Sequence, residues 1–178
     1  MSRFKIVLLT FSLLCFSAIM AQKTDENASI KWITFEQMQA AQKKAPKKVI
    51  IDIYTEWCGW CKRMDKTTFE NPVIAKYVND NFYAVKFDAE SKAPITFAGK
   101  VYNNPQRYHE LAMLLMDGKA GFPTSVYLDA TLKPLTAPIA SYIDAKQFEL
   151  ILNYLNTESF KRIPFDQYTQ EFKGQVQE

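Results

Sequence analysis

Cys58 and Cys61 are separated by two residues in Trp57-Cys58-Gly59-Trp60-Cys61-Lys62, and thiols at that spacing have three uses. They can cycle as a redox disulfide, hold a metal, or form a small structural cross-link. The motif follows Val49-Ile50-Ile51-Asp52-Ile53-Tyr54, a run of largely β-branched apolar residues expected of a strand buried on both faces. It opens a helix expected to reach about Phe69. Cys58 therefore stands at a helix N-terminus, where unpaired N–H groups and the helix dipole favour a thiolate. Cys61, one turn later, is close enough to close a ring and is expected to lie deeper. That division suits thiol–disulfide exchange, with Cys58 attacking a partner disulfide and Cys61 resolving the mixed disulfide. A structural zinc site wants four Cys or His ligands. Beyond the first 21 residues the chain offers two cysteines and His109, so no metal is expected. A ring this small removes little loop entropy, which makes a purely structural disulfide the weaker reading.

The rest of the composition narrows the setting. At 178 residues the chain suits one domain with a sizeable core. Its 48% hydrophobic and 23% charged residues exclude disorder and low complexity. A net charge of +3 with no basic block gives a nucleic-acid partner no electrostatic support. Residues 1–21 read as a secretory signal: Arg3 and Lys5, then an apolar stretch from Ile6 to Met20, then Ala21. An uncleaved anchor is the alternative, although about 15 apolar residues fall short of the roughly 20 that a spanning helix needs. Cys15 lies inside the apolar stretch and lacks the small residues of a lipobox. Cleavage would leave 20 basic against 19 acidic residues, and Cys58 and Cys61 as the remaining thiols. The expected location is periplasmic or secreted, where thiols are oxidised.

The elements that must position the pair follow from periodicity and caps. Residues 22–30 form a polar lead. Thr34 and Gln37 make a capping box for a helix carrying Phe35 and Met38. Asn71-Pro72 is an N-cap and first-turn pair opening a helix with Val73, Ile74, Tyr77 and Val78 inward. A strand is expected over residues 82–87, a short hairpin around Ala98-Gly99, and a helix over 106–116. Residues 124–128 read as a strand. A weaker edge strand is expected over 132–139, which carries Pro134 and Pro138. Asp144 and Gln147 cap a helix with Phe148, Ile151, Leu152 and Leu155, and residues 164–172 read as a helical tail. The alternation of elements indicates one α/β domain.

The segment from Asp52 to Lys62 resembles the active-site strand and turn of the thioredoxin superfamily, and Gly121-Phe122-Pro123-Thr124 resembles its cis-proline loop. The resemblance implies a thioredoxin fold, a central mixed β-sheet flanked by helices, over about residues 31–160. An insertion at about 91–120 and an extension at 161–178 depart from the minimal fold. Cys58 would then be the attacking cysteine, Cys61 the resolving one, and Pro123 the cis-proline beside the disulfide. Asp52 would be the buried acid that assists proton transfer at Cys61, with Lys86 near it. An acid inside the run Ile50, Ile51 and Ile53 is costly to ionise, which agrees with that role. Trp57, Trp60, Phe122 and Thr124 are expected at the substrate, and Gly59 in support. Trp60 replaces the proline of thioredoxin's own Gly-Pro pair. Glu56 reads as a solvated turn acid, and His109 as a surface or capping residue.

The function so implied is an exported thiol:disulfide oxidoreductase, acting as a reductase of protein or peptide disulfides with no cofactor beyond its own cysteine pair. It would draw electrons from a membrane thiol donor and work as a monomer. The absence of a histidine between the cysteines and the apolar Phe122 favour the reducing direction. An oxidase or isomerase could use the same residues, and a redox-inert module could hold extended peptides in the cis-proline groove.

Overall fold

The computed structural model describes residues 29–177; the signal reading and most of the polar lead fall outside them. The central sheet has four strands in the order β1 (Trp32–Ile33), β3 (Phe82–Asp88), β2 (Lys48–Tyr54), β6 (Thr124–Leu128). β1 and β2 run parallel to β3, whereas β6 runs antiparallel to β2, pairing Ile53 with Thr124. The C-terminal ends of β2 and β3 therefore meet the N-terminal end of β6. Three loops open at that one edge of the sheet: the turn holding Cys58, the loop after Asp88, and the loop holding Pro123.

β2 is central because both of its faces are apolar. Val49, Ile51 and Ile53 pack with Phe35, Met38, Val85, Phe87 and Leu111 on one side. Ile50 faces the opposite layer, with Met64, Phe69, Ile74, Phe148 and Leu152. Strand alternation puts Asp52 on that second side with Ile50, under the helix that begins after Cys58.

The helices form where their caps direct. Helix α1 (Phe35–Gln42) has the full Thr34–Gln37 capping box. Helix α2 (Gly59–Met64) passes into a π-turn at Asp65–Phe69, whose widened turn is closed by Glu70 N–H donating to the Asp65 carbonyl at 2.9 Å. In α3 (Pro72–Asn81) the Asn71 side chain accepts from Val73 and Ile74. α5 (Ala145–Asn156) is capped by Asp144. A 3₁₀ turn (Ser159–Lys161) and α6 (Phe165–Glu171) follow. The chain then returns to α5, where the buried Glu149 carboxylate accepts from Gln175 and Val176 at 2.7 and 3.0 Å. A Cβ at Gly174 would stand 2.5 Å from that carboxylate, so a larger residue there must displace the Glu149 side chain.

The segment between β3 and β6 contains the hairpin β4 (Ile95–Phe97) and β5 (Lys100–Tyr102), then α4 (Glu110–Leu115). Its turn holds Ala98 and Gly99 at positive φ. The Gln39 side chain of α1 ties the hairpin down, donating to Thr96 O at 2.7 Å and accepting from Ala98 N at 3.1 Å.

Two expectations are corrected, and one strand is added. The helix expected over 106–116 begins only at Glu110, because His109 is its N-cap and the Asn104 side chain holds residues 90, 91 and 107 in a loop. Residues 132–139 form no strand. They touch the sheet edge at two isolated bridges, Ser125–Ile139 and Leu128–Pro134, and Pro134 and Pro138 have no N–H to extend the ladder. Strand β1 was not foreseen, since two residues are too few to show a period.

Candidate active site

Cys58 is the N-cap of α2, and its sulfur is bonded to that of Cys61. The Cys61 N–H donates to Cys58 Sγ at 3.0 Å, aiming a helix N-terminal donor at the sulfur that would carry negative charge on reduction. The Cys58 N–H itself donates to Thr55 O at 3.1 Å, which fixes the turn. The expected difference in depth is slight: Cys58 is 5% exposed and Cys61 3%. Pro123 is buried and follows a cis peptide bond from Phe122, as the resemblance implied. The antiparallel β6 brings its loop to the same sheet edge as Cys58.

Asp52 is fully buried, and its Oδ1 has no hydrogen-bond partner among the described residues. Burial raises its pKa from 3.8 to about 6; the neighbouring Asp65 adds to the rise, and Lys86 opposes it. Lys86 Nζ lies 3.4 Å from Asp52 Oδ2 and binds Asp65 Oδ1 more closely. The rings of Trp32, Tyr54 and Phe69 surround the same ammonium at 5.1–5.3 Å. One cation is thus shared between a buried acid and a half-exposed one, and Asp52 titrates in the range where a proton relay is useful. Asp65 was missed in the sequence. The π-turn, which decides where its side chain projects, has no sequence signature.

The aromatic residues sort into two groups. Trp57 is 56% exposed, donates from Nε1 to Glu90 Oε2 at 2.9 Å, and meets Phe122 edge-on at 5.8 Å. Phe122 also contacts Tyr108 at 5.3 Å. The Arg107 guanidinium lies over Trp57 and Tyr108, at 5.5 and 5.0 Å, and pairs with Glu90 Oε1 at 3.3 Å. Arg107 and Tyr108 come from the insertion and were not anticipated here. Trp60, also 56% exposed, packs on Tyr142 at 5.5 Å, with Arg63 over both rings.

One expected site residue is placed differently. Thr124 is completely buried and donates its hydroxyl to Gly121 O at 2.7 Å, so its side chain braces the proline loop and presents no surface to a substrate. Gly59 has open space where a Cβ would stand, so no packing demands a glycine there. Glu56 is exposed as read. His109 is buried: Nδ1 accepts from Leu111 N at 3.1 Å and Nε2 faces Ala93 O at 3.1 Å, which makes it a clamp for the insertion. Among the described residues no group of three His, Cys, Asp or Glu side chains could hold a metal, and no helix is long and apolar enough to cross a membrane.

A mixed sheet with the cysteine turn and the proline loop at one edge defines a thioredoxin fold. The chain belongs to the Thioredox_DsbH family, described as a protein of unknown function (DUF255), whose profile matches residues 15–163. It is 30% identical over 138 residues to the "Uncharacterized protein B0495.5" of Caenorhabditis elegans, covering 74% of this chain and 17% of that protein. It is 28% identical over 130 residues to the thiol:disulfide interchange protein DsbD of Vibrio vulnificus (strain CMCP6), covering 71% and 19%. The chain thus spans less than a fifth of the length of these relatives. Similar solved structures include a DsbH oxidoreductase, 18% identical with a TM-score of 0.53 over 74% of this chain and 88% of that one. A thioredoxin from Thermus thermophilus is also 18% identical, with a TM-score of 0.53 over 75% and 89%.

Proposed function

We propose that this chain is an exported thiol:disulfide oxidoreductase that reduces disulfides in protein or peptide partners. In the reduced form, the Cys58 thiolate attacks one sulfur of the partner disulfide, and the other partner sulfur leaves as a thiolate. The Cys61 thiolate then attacks Cys58 Sγ, the second partner sulfur leaves, and the Cys58–Cys61 disulfide forms. Two electrons pass to the partner, and two protons accompany them to its thiols. Asp52 takes the proton from Cys61 as that thiol becomes a nucleophile. A membrane dithiol donor then reduces the Cys58–Cys61 disulfide and restores the cycle. The protein acts as a monomer outside the cytoplasm, without metal or cofactor, after loss of residues 1–21.

The observation that most supports this reading is the Cys58–Cys61 pair at a helix N-terminus above a buried carboxyl that titrates near pH 6. The relation to proteins named for thiol:disulfide interchange supports the reaction class. The test is the reduction potential of the pair, with insulin reduction in parallel. A potential near about −270 mV, and loss of insulin reduction in Cys58→Ser, is the expected result. A potential near about −120 mV would mark an oxidant instead. Turnover retained in Cys58→Ser would end the mechanism.

A further inference from the structure

Two clusters of aromatic residues and arginine border the cysteine pair, and their charges are balanced differently. Beside Trp57, Arg107 is neutralised by Glu90, which also accepts from Trp57. Beside Trp60, Arg63 lies 5.3 Å from the Trp60 ring centroid and 5.6 Å from that of Tyr142. Tyr142 is anchored in turn by a 2.8 Å hydrogen bond between its hydroxyl and Thr67 Oγ1. No carboxylate among the described residues pairs with Arg63, nor with the exposed Lys62 and Lys66 on the same helical stretch. Asp65, the one acid within that stretch, is occupied by Lys86.

A guanidinium resting on ring faces keeps its hydrogen-bonding edge available, and that planar fork matches a carboxylate bidentately. We propose that Arg63 is a specificity-determining residue that receives a side-chain carboxylate of the partner polypeptide. The favoured partner is then a disulfide flanked by an acidic residue. Arg63 lies over the Trp60 ring, and Trp60 stands between the two cysteines, so the carboxylate is placed within about four residues of the attacked cysteine of an extended partner, at about 3.3 Å per residue. Trp60 and Tyr142 hold the guanidinium in place at the surface, where the ion pair stays open to water.

This inference rests on the disulfide-exchange reading of the same site, and two measurements separate them. Peptides with one disulfide and either Glu or Gln at each of the four positions beside a cysteine are compared as substrates of the reduced protein. The same peptides with cysteine replaced by serine are then compared for binding, read by tryptophan fluorescence. The expected kcat/KM ratio of Glu to Gln peptide is about three- to fivefold at low salt, the range of an exposed ion pair. It should fall toward one at high salt, where screening removes the attraction. Arg63→Gln should abolish the ratio, and Arg63→Lys should keep part of it. Turnover with no Glu preference, or an equal preference in Arg63→Gln, overturns the inference and leaves the exchange reaction standing. A Glu preference in binding that depends on Arg63, without turnover, keeps the inference and removes the reductase reading. Neither turnover nor a binding preference removes both.

Discussion

Replacing Asp52 by Asn should make the protein more stable at alkaline pH and leave its stability at acid pH almost unchanged. In the native protein the carboxyl is buried and one oxygen has no hydrogen-bond partner among the described residues, so burial holds its pKa at about 6 against an ordinary 3.8. A raised carboxyl pKa favours the folded state while the group is protonated in both states, below about pH 4. That contribution is lost as pH rises through about 6, because the unfolded chain ionises freely and the folded one ionises at a cost. At about 1.4 kcal/mol for each factor of ten in proton affinity, the full penalty above pH 7 is about 3 kcal/mol. Asparagine cannot ionise, so it removes the penalty, although its amide must find partners in the same site and Lys86 retains only Asp65. The net expectation is a gain of about 1–3 kcal/mol at pH 8 that disappears by pH 4. Urea unfolding of the oxidised protein and its Asp52→Asn variant at pH 4, 6 and 8 measures it. An equal gain at all three pH values, or a loss at pH 8, would refute the electrostatic reasoning.

The other expectations concern neighbouring parts of the site. Asp52→Asn should also slow the resolving step by about tenfold or more near neutral pH, as loss of a positioned proton acceptor does; stopped-flow decay of the mixed disulfide measures it, and an unchanged rate would exclude the relay. Lys86→Met removes the cation that holds the Asp52 pKa down, so the carboxyl should titrate at higher pH, observable by carboxyl-carbon NMR. A lower or unmoved titration would refute the assignment of Lys86 as the group that holds Asp52 down. His109→Ala removes the cap on Leu111 and the tie to Ala93, and should cost about 1–2 kcal/mol for the cap alone. Hydrogen exchange should localise that loss to α4 and residues 89–109, and an unaltered α4 would contradict the clamp.

Much of the site was legible because its signals are local. The β-branched run ending at Tyr54, the Asn71-Pro72 start and the Asp144 cap each specify an element through neighbouring residues, and each appears where its chemistry places it. Cys58 as N-cap follows from one strand and one turn. The insertion was harder to read. Its path depends on Asn104, Gln39 and His109, which bridge residues that lie 13–16 or nearly 60 positions apart. Arg107 and Tyr108 therefore reached the site through contacts with no periodic signature. The proline-bearing segment 132–139 looked like a strand because its apolar pattern outweighed two missing donors.

The sequence by itself determined the chemistry: two thiols at a helix start, an acid within an apolar strand, and a proline ahead of another strand. These depend on side-chain type, spacing and backbone preference over a few residues. Tertiary structure alone decided which groups share the site. The antiparallel pairing of β6 with β2, beside the parallel pairing of β2 with β3, brings the Pro123 and Glu90 loops to the edge of the sheet where Cys58 sits. The π-turn directs Asp65 onto Lys86, and the insertion sets Arg107 against Glu90 while Arg63 pairs with no acid among the described residues. Charge balance of this kind depends on distances between segments far apart in the chain. Only the packed core sets those distances.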